Sequence, residues 1–268
     1  MFLNEKTGYK EISLNKNIPM TKIQLQAEAG NIQYINDVQC RYCTLRKLCK
    51  PADDSNNESI PDNLVKHQKK ISKTQHLFKS DEIFKNVFAV KSGMFKSVYH
   101  FDDGREQIID FHLPGELIGF DAIDNDRYTC SVVAITNSSY CEMNLPSHAP
   151  HEIKNDLIGH MEFQNNVIEA LSKQARLDQH KSLIIGAMNV EQKLAIFLTS
   201  IYTRLEAHSM PSECFTIPMR KDIANYLGVA IETVVRLLKK LEKNQLITSC
   251  GKQVTLSNYE EIKKLSRL

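Results

Sequence analysis

Residues 220–241 read RKDIANYLGVAIETVVRLLKKL, and their spacing decides the fold. Ala224 is followed four residues later by Gly228 and six residues after that by Val234. This is the helix-turn-helix pattern. A small residue lets two helices cross, a glycine takes the backbone of the turn, and an apolar residue packs the second helix on the first. The second helix lays its N-terminal side chains in a major groove. Glu232 can accept from a cytosine amino group, and Arg236 can fork onto a guanine. They are four apart and so share one helix face. Lys239, Lys240 and Lys243 continue toward the DNA backbone as phosphate contacts. Beyond them, Leu246–Thr248 and Lys252–Leu256, joined through Cys250 and Gly251, predict a two-stranded wing.

The charge agrees. Pro218 to Lys252 holds seven Lys/Arg against three acids, a local excess of four in a chain whose net charge is +2. Positive charge gathered on one module is what a phosphate-binding surface requires. The 268 residues, 42% of them hydrophobic, allow one or two domains with a sizeable core. No apolar run approaches the roughly 20 residues of a membrane span. The N-terminal MFLNEKTGYKEISLNK has mixed charge and no apolar core of a signal peptide. The expectation is a cytoplasmic protein with no membrane partner. In that reducing compartment the seven cysteines read as thiols or metal ligands, not disulfides.

Upstream, residues 1–39 are polar and weakly periodic and read as a loose arm; 51–62 form an acidic, turn-rich connector, and a short helix is expected around Asp62–Lys70. From Ile71 to Leu145, short apolar segments alternate with turns at Lys91-Ser92-Gly93, Asp102-Asp103-Gly104 and Pro114-Gly115. That punctuation indicates a small antiparallel roll or barrel. Between His151 and Ser182, Ile153, Leu157, Met161, Ile168, Leu171 and Ala175 approximate a spacing of three or four residues, with one step of seven. A long helix with so narrow a seam reads as a dimerisation helix, the alternative being a helix packed on its own roll. Glu191–Glu206 is a further amphipathic helix.

The fold class expected is therefore α+β, in four parts. An arm and cysteine loop occupy 1–50. An antiparallel β-roll spans 51–149. A long dimerisation helix covers 150–185, and a winged helix-turn-helix DNA-binding domain covers 186–268.

The cysteine loop is Cys40-x2-Cys43-x5-Cys49. An x2 pair is the usual way a short loop turns two sulfurs toward one centre, yet three thiolates fall one short of the four that a closed zinc or iron–sulfur site takes. Cys130 and Cys141 are both available as the fourth. Cys130 lies mid-strand, where a buried inert thiol is the default. Cys214 and Cys250 sit near the DNA-reading segment and read as plain small residues.

The order roll, long helix, winged helix-turn-helix resembles the CRP/FNR regulator superfamily, and its oxygen-sensing FNR branch in particular, which implies that the roll at 51–149 is a sensory domain of the cupin-like, cyclic-nucleotide-binding type. The residues that carry the likeness are the Cys40–Cys49 loop, the stretch Phe111-His112-Leu113-Pro114-Gly115-Glu116-Leu117-Ile118-Gly119-Phe120-Asp121-Ala122-Ile123, and Glu232-Thr233-Val234-Val235-Arg236. The resemblance selects Cys141, in Tyr140-Cys141-Glu142-Met143, as the distal ligand. It implies that Cys40, Cys43, Cys49 and Cys141 hold a [4Fe–4S] cluster in the absence of oxygen, and that the cluster stabilises a homodimer on a two-fold double-stranded DNA site. Oxygen converts the cluster to a smaller form and the dimer weakens. Asp178 matches the family's dimer-helix aspartate, which opposes association when the cluster is lost; the plain alternative is a solvated helix acid.

Two departures stand out. Val235 replaces the serine of the family's reading pattern and can touch only a thymine methyl, which implies a TTGAT-like half-site with a relaxed or altered first step. Arg105 stands where an acidic residue that contacts RNA polymerase is common.

Three rival readings remain. A cyclic-nucleotide regulator needs Arg and Ser/Thr side by side after Gly115-Glu116, where this chain has Tyr128-Thr129 with Arg127 one position off. A zinc-stapled regulator would use the same thiolates. Against an enzyme, there is no phosphate-cradling glycine loop, no HExxH and no nucleophile elbow.

Overall fold

The computed structural model describes residues 25–28, 31–34, 65–123, 126–143, most of 165–179, and 188–266 apart from 209, 211 and 213. Within the expected loose arm it places an antiparallel hairpin, β1 (Leu25–Glu28) and β2 (Asn31–Tyr34). Apolar Leu25, Ala27, Ile32 and Tyr34 alternate there with polar neighbours, a period-two pattern too short to stand out from sequence.

The roll is two four-stranded antiparallel sheets. One has the order β3 (Val65–Ile71), β10 (Ser138–Met143), β5 (Val87–Ser92), β8 (Leu117–Ile118). The other runs β4 (His76–Phe78), β9 (Ser131–Ala134), β6 (Phe95–His100), β7 (Glu106–His112). β3 corrects the helix expected around Asp62–Lys70. Its two apolar ends enclose a polar run that offers a helix no packing stripe. The edge of β10 offers a ladder instead, from Ser138↔Ile71 to Met143↔Val65, with one register shift between Glu142 and Met143. Gly93 makes the β5–β6 turn in left-handed backbone, where a β-carbon would collide with Ser138.

Pleating sorts the side chains of the first sheet. Phe88, Val90, Ile118 and Tyr140 face inward with Phe78, Phe95, Tyr128 and Val132. Tyr128 stacks on Phe78 at 3.7 Å between ring centroids, and Phe88 meets Tyr140 edge-on at 5.7 Å. Val87, Ala89, Leu117, Cys141 and Met143 face outward and form a separate cluster.

The C-terminal unit begins with α1 (Val190–Ala207), closed at its start by a capping box between Asn189 and Gln192. The helix-turn-helix pair is α2 (Arg220–Leu227) and α3 (Ile231–Lys243). Gly228 takes the left-handed turn, and Ala224 and Val234 are buried where the helices meet. The wing has three strands rather than two, in the order β11 (Cys214–Thr216), β13 (Gln253–Leu256), β12 (Ile247–Cys250). α4 (Tyr259–Leu265) follows, capped by Asn258.

The roll and the C-terminal unit share one core. Val98, Ile108, Phe111 and Leu113 of the roll pack with Leu194, Leu198, Ile201 and Ile223. Phe111, Phe197 and Tyr226 form a ring triad with centroids 5.3–5.7 Å apart. Polar ties reinforce it. Asn225 Oδ1 accepts from the Ile108 amide at 2.6 Å, and its amide donates to the Glu106 carbonyl at 2.9 Å. Lys96 Nζ meets Asp222 at 2.8 Å. Arg204 grips Glu116 with Nε at 2.6 Å and Nη2 at 2.5 Å, both side chains about 15% exposed. Burial works to raise the Glu116 carboxyl, but the Arg204 charge and hydrogen bonds, with the Leu113 amide, hold it below the usual carboxylate range.

A carboxylate depressed in the fold stabilises it above the unfolded value of about 4.3, and that stability is lost as pH falls through the folded value. Glu116→Gln leaves the Arg204 charge buried and unpaired. It is expected to cost about 3–5 kcal/mol at pH 7, with the gap to wild type narrowing below about pH 4.3. Urea unfolding at both pH values reads this; a loss under about 1 kcal/mol at pH 7 would contradict it.

Candidate DNA interface and thiolate site

α3 carries the reading face. Val234, Leu237, Leu238 and Leu241 are buried against α2, α1 and the wing, which turns the opposite side outward. Ile231, Glu232, Val235, Arg236 and Lys239 line one open concavity, with Glu232, Arg236 and Lys239 exposed and Val235 half-buried. Ile231 was missed from sequence. It is 45% exposed and lies one turn before Val235 on the same face, so the 3.6-residue period was the available signal. Lys240 does not line the concavity and pairs with Glu191 of α1 at 2.7 Å. Asp222 was also missed: it is buried, and holds Lys96 of the roll.

Of the four proposed cluster ligands, Cys40, Cys43 and Cys49 lie outside the described residues. Cys141 is described and half-buried on the central strand β10, paired across to Gln68 of β3 and Ala89 of β5. It packs in the outward cluster with Val87, Ala89 and Met143, and Val167 packs on the same cluster. Val167 falls in the span expected as the long helix, and every described residue from 165 to 179 is helical. Cys141 therefore sits on the helix side of the sheet.

Cys130 is the reverse case. It is 4% exposed inside the roll. Burial first, then the Asp121 charge, push its thiol up to about 11, far from a thiolate. Among the described residues no three His, Cys, Asp or Glu side chains gather to hold a metal ion.

On the long helix, Ile168 and Leu171 are 59% and 39% exposed, large apolar side chains turned outward three residues apart. Asp178 is exposed further along and accepts from Gln174 Nε2 at 3.2 Å. Among the described residues no helix is long and apolar enough to cross a membrane.

The roll interior bears on nucleotide binding. Glu116 is committed to Arg204, Tyr128 fills the interior as a stacked ring, Thr129 donates to Asp121, and Arg127 donates to the Asp81 carbonyl. None of the four is arranged around a cyclic phosphate.

Residues 68–148 match the cyclic nucleotide-binding domain family, and residues 192–265 match the Crp-like helix-turn-helix domain family. The regulatory protein HlyX of Actinobacillus pleuropneumoniae is 35% identical over 84% of this chain and 92% of its own length. The fumarate and nitrate reduction regulatory protein of Escherichia coli K12 is 31% identical over 93% of this chain and 97% of its own. Among solved structures, FixK2 from Bradyrhizobium japonicum is 25% identical over 75% of this chain and 98% of that one, with a TM-score of 0.63.

The two kinds of DNA contact separate by substitution. If Arg236 reads a base edge, as its place on this face suggests from sequence, Arg236→Ala is expected to weaken binding to duplexes selected from a random pool by about 1–3 kcal/mol and relax the preference at one position. Lys239→Ala is expected to weaken all sequences alike and reduce the salt dependence by about one counterion. Fluorescence anisotropy across a salt series distinguishes them; an Arg236→Ala protein with unchanged sequence preference would contradict the assignment.

Proposed function

The chain belongs to the CRP/FNR superfamily of DNA-binding transcription regulators, in the branch of the FNR-type anaerobic regulators, and from that premise we propose what it senses and how. It is a regulator and not an enzyme. In this reading Cys40, Cys43, Cys49 and Cys141 hold a [4Fe–4S] centre, and a cytoplasmic homodimer binds two-fold, TTGAT-like DNA when oxygen is absent. The observation that carries the reading is the outward position of Cys141 in the cluster that Val167 of the long helix shares.

The donor set suits the group: four thiolates are the usual ligands of such a centre, and Cys141 is half-buried where Cys130 is enclosed and held protonated. When bound, the centre supplies an oxygen-labile group. The chain's own residues do the rest. Cys141 ties the 40–49 loop to β10 and thus to the packing of Val167. The next helix residue, Ile168, and Leu171 one turn on present the exposed apolar face that a second copy covers. A shift at Val167 biases that marginal interface between two arrangements. Asp178, exposed along the same helix, adds like-charge repulsion between subunits.

On DNA, Glu232 and Arg236 read base edges and Val235 offers a methyl contact at the relaxed first step. RNA polymerase is the downstream partner. Arg105, paired to Asp103 at 2.7 Å and lying over the Phe101 ring, stands where an acidic contact residue is common and so weakens a contact through the 102–105 turn.

One anaerobic preparation tests the reading. Its visible absorption should bleach in air, persist in Cys130→Ala and vanish in Cys141→Ala. Sedimentation should show the dimer falling apart in air, and Asp178→Ala staying dimeric. A chromophore retained by Cys141→Ala sinks the ligand assignment; a colourless zinc protein sinks the oxygen-sensing reading.

A further inference from the structure

A second site lies at the seam between the roll and the DNA-binding unit. A cavity of about 120 Å³ opens there, and four lysines from four different elements line it. Lys73 comes from the turn between β3 and β4, Lys96 from β6, Lys221 from the first turn of α2, and Lys252 from the turn between β12 and β13. Asp222 is the one acid among the lining residues, and its buried carboxylate is taken by Lys96 at 2.8 Å. No ion pair with a carboxylate is made by Lys73, Lys221 or Lys252 among the described residues.

These ammoniums are held in each other's company. Burial first, then the neighbouring Lys73 charge, push the Lys252 ammonium below its ordinary range, with Asp222 opposing. Like charges so gathered repel one another, and an anion between them relieves that repulsion. The backbone beside them is strained as well. Thr74, a β-branched lining residue, stands in left-handed conformation at φ 71° and is pinned there by its amide on the Ala134 carbonyl at 2.7 Å. Such strain persists where the surroundings over-determine it, often at ligand clamps. Ala134, Ile135 and Ile217 give the cavity an apolar floor, and the exposed side chains of Lys73, Lys221 and Lys252 stand around its mouth.

We infer that this seam is a binding site for a compact, multiply charged anion of the phosphate class, either inorganic phosphate or the terminal phosphate of a small phosphomonoester. The cavity is well below the roughly 300–1,000 Å³ of sites for drug-sized ligands, so a whole nucleotide does not fit inside it. It is walled by the roll on one side and α2 on the other, and the DNA-reading face on α3 is formed by different residues. An anion bound there bridges Lys73 of the roll to Lys221 and Lys252 of the DNA-binding unit. It therefore fixes how that unit sits on the roll, independently of the cysteine centre.

The test uses the full chain, purified anaerobically, at constant ionic strength set with chloride. Inorganic phosphate and pyrophosphate are titrated by calorimetry against wild type and Lys73→Gln/Lys252→Gln. The site predicts saturable binding at one anion per chain, weakened at least tenfold in the double variant. It also predicts a phosphate-dependent rise in melting temperature that the variant lacks. Equal affinity in the two proteins, or no binding above the chloride background, overturns the inference. A third arm separates the DNA backbone as the source of phosphate. Lys73→Gln should leave DNA affinity in phosphate-free buffer unchanged. A weaker DNA complex there would make Lys73 a DNA contact and overturn the small-anion site.

Discussion

The pleat of β10 is the constraint on which the account rests. Successive residues of a strand point to opposite faces, so Tyr140 enters the aromatic interior while Cys141 and Met143 turn outward. A slip of one residue would bury the thiol among Phe78, Phe88 and Tyr128 and expose a tyrosine. The register is held on both sides, by Gln68 of β3 and Ala89 of β5, and by Lys69 reaching Glu142 at 2.9 Å. Cys130 shows what the interior does to a sulfur: enclosed and kept protonated, it is a packing residue. The same pleat places Val87 and Ala89 beside Cys141, and with them the contact to Val167 of the long helix.

The roll is joined to the DNA-binding unit through its second sheet. There the Phe111–Phe197–Tyr226 triad supplies apolar burial, and the Glu116–Arg204 fork supplies direction. Glu116 has a double consequence. Its carboxylate closes the joint, and a carboxylate so engaged does not serve a ligand inside the roll. With Tyr128 stacked in the interior, the roll of this chain is a filled scaffold that presents Cys141 on one outer face and carries the DNA reader on another.

Much of this was legible in the sequence because it is local. Ala224, Gly228 and Val234 encode the helix-turn-helix in three positions, and Gly and Pro punctuation marks the turns between β5 and β10. What was not legible is decided by distant partners. Val65–Ile71 has a polar middle and looks like no strand until β10 offers its edge. Cys214–Thr216 is three residues long and becomes a strand only beside β13. α4 was signalled, by Asn258 before Glu260-Glu261 and Lys263-Lys264, and was overlooked. At the site, Cys141 was singled out by the family resemblance, whereas its outward position, Ile231 on the same face as Val235, the Lys240–Glu191 pair and the Asp222–Lys96 tie needed the folded arrangement.

The claim that the rest of the mechanism serves is that four cysteines, Cys141 among them, hold an iron–sulfur centre. Mössbauer spectroscopy of iron-57-enriched protein isolated without oxygen, with iron, sulfide and zinc assayed on the same sample, addresses it directly. The account predicts four iron and four sulfide per chain and the spectrum of a four-iron, all-thiolate centre. One zinc per chain with no sulfide, or iron that is mononuclear, would contradict it.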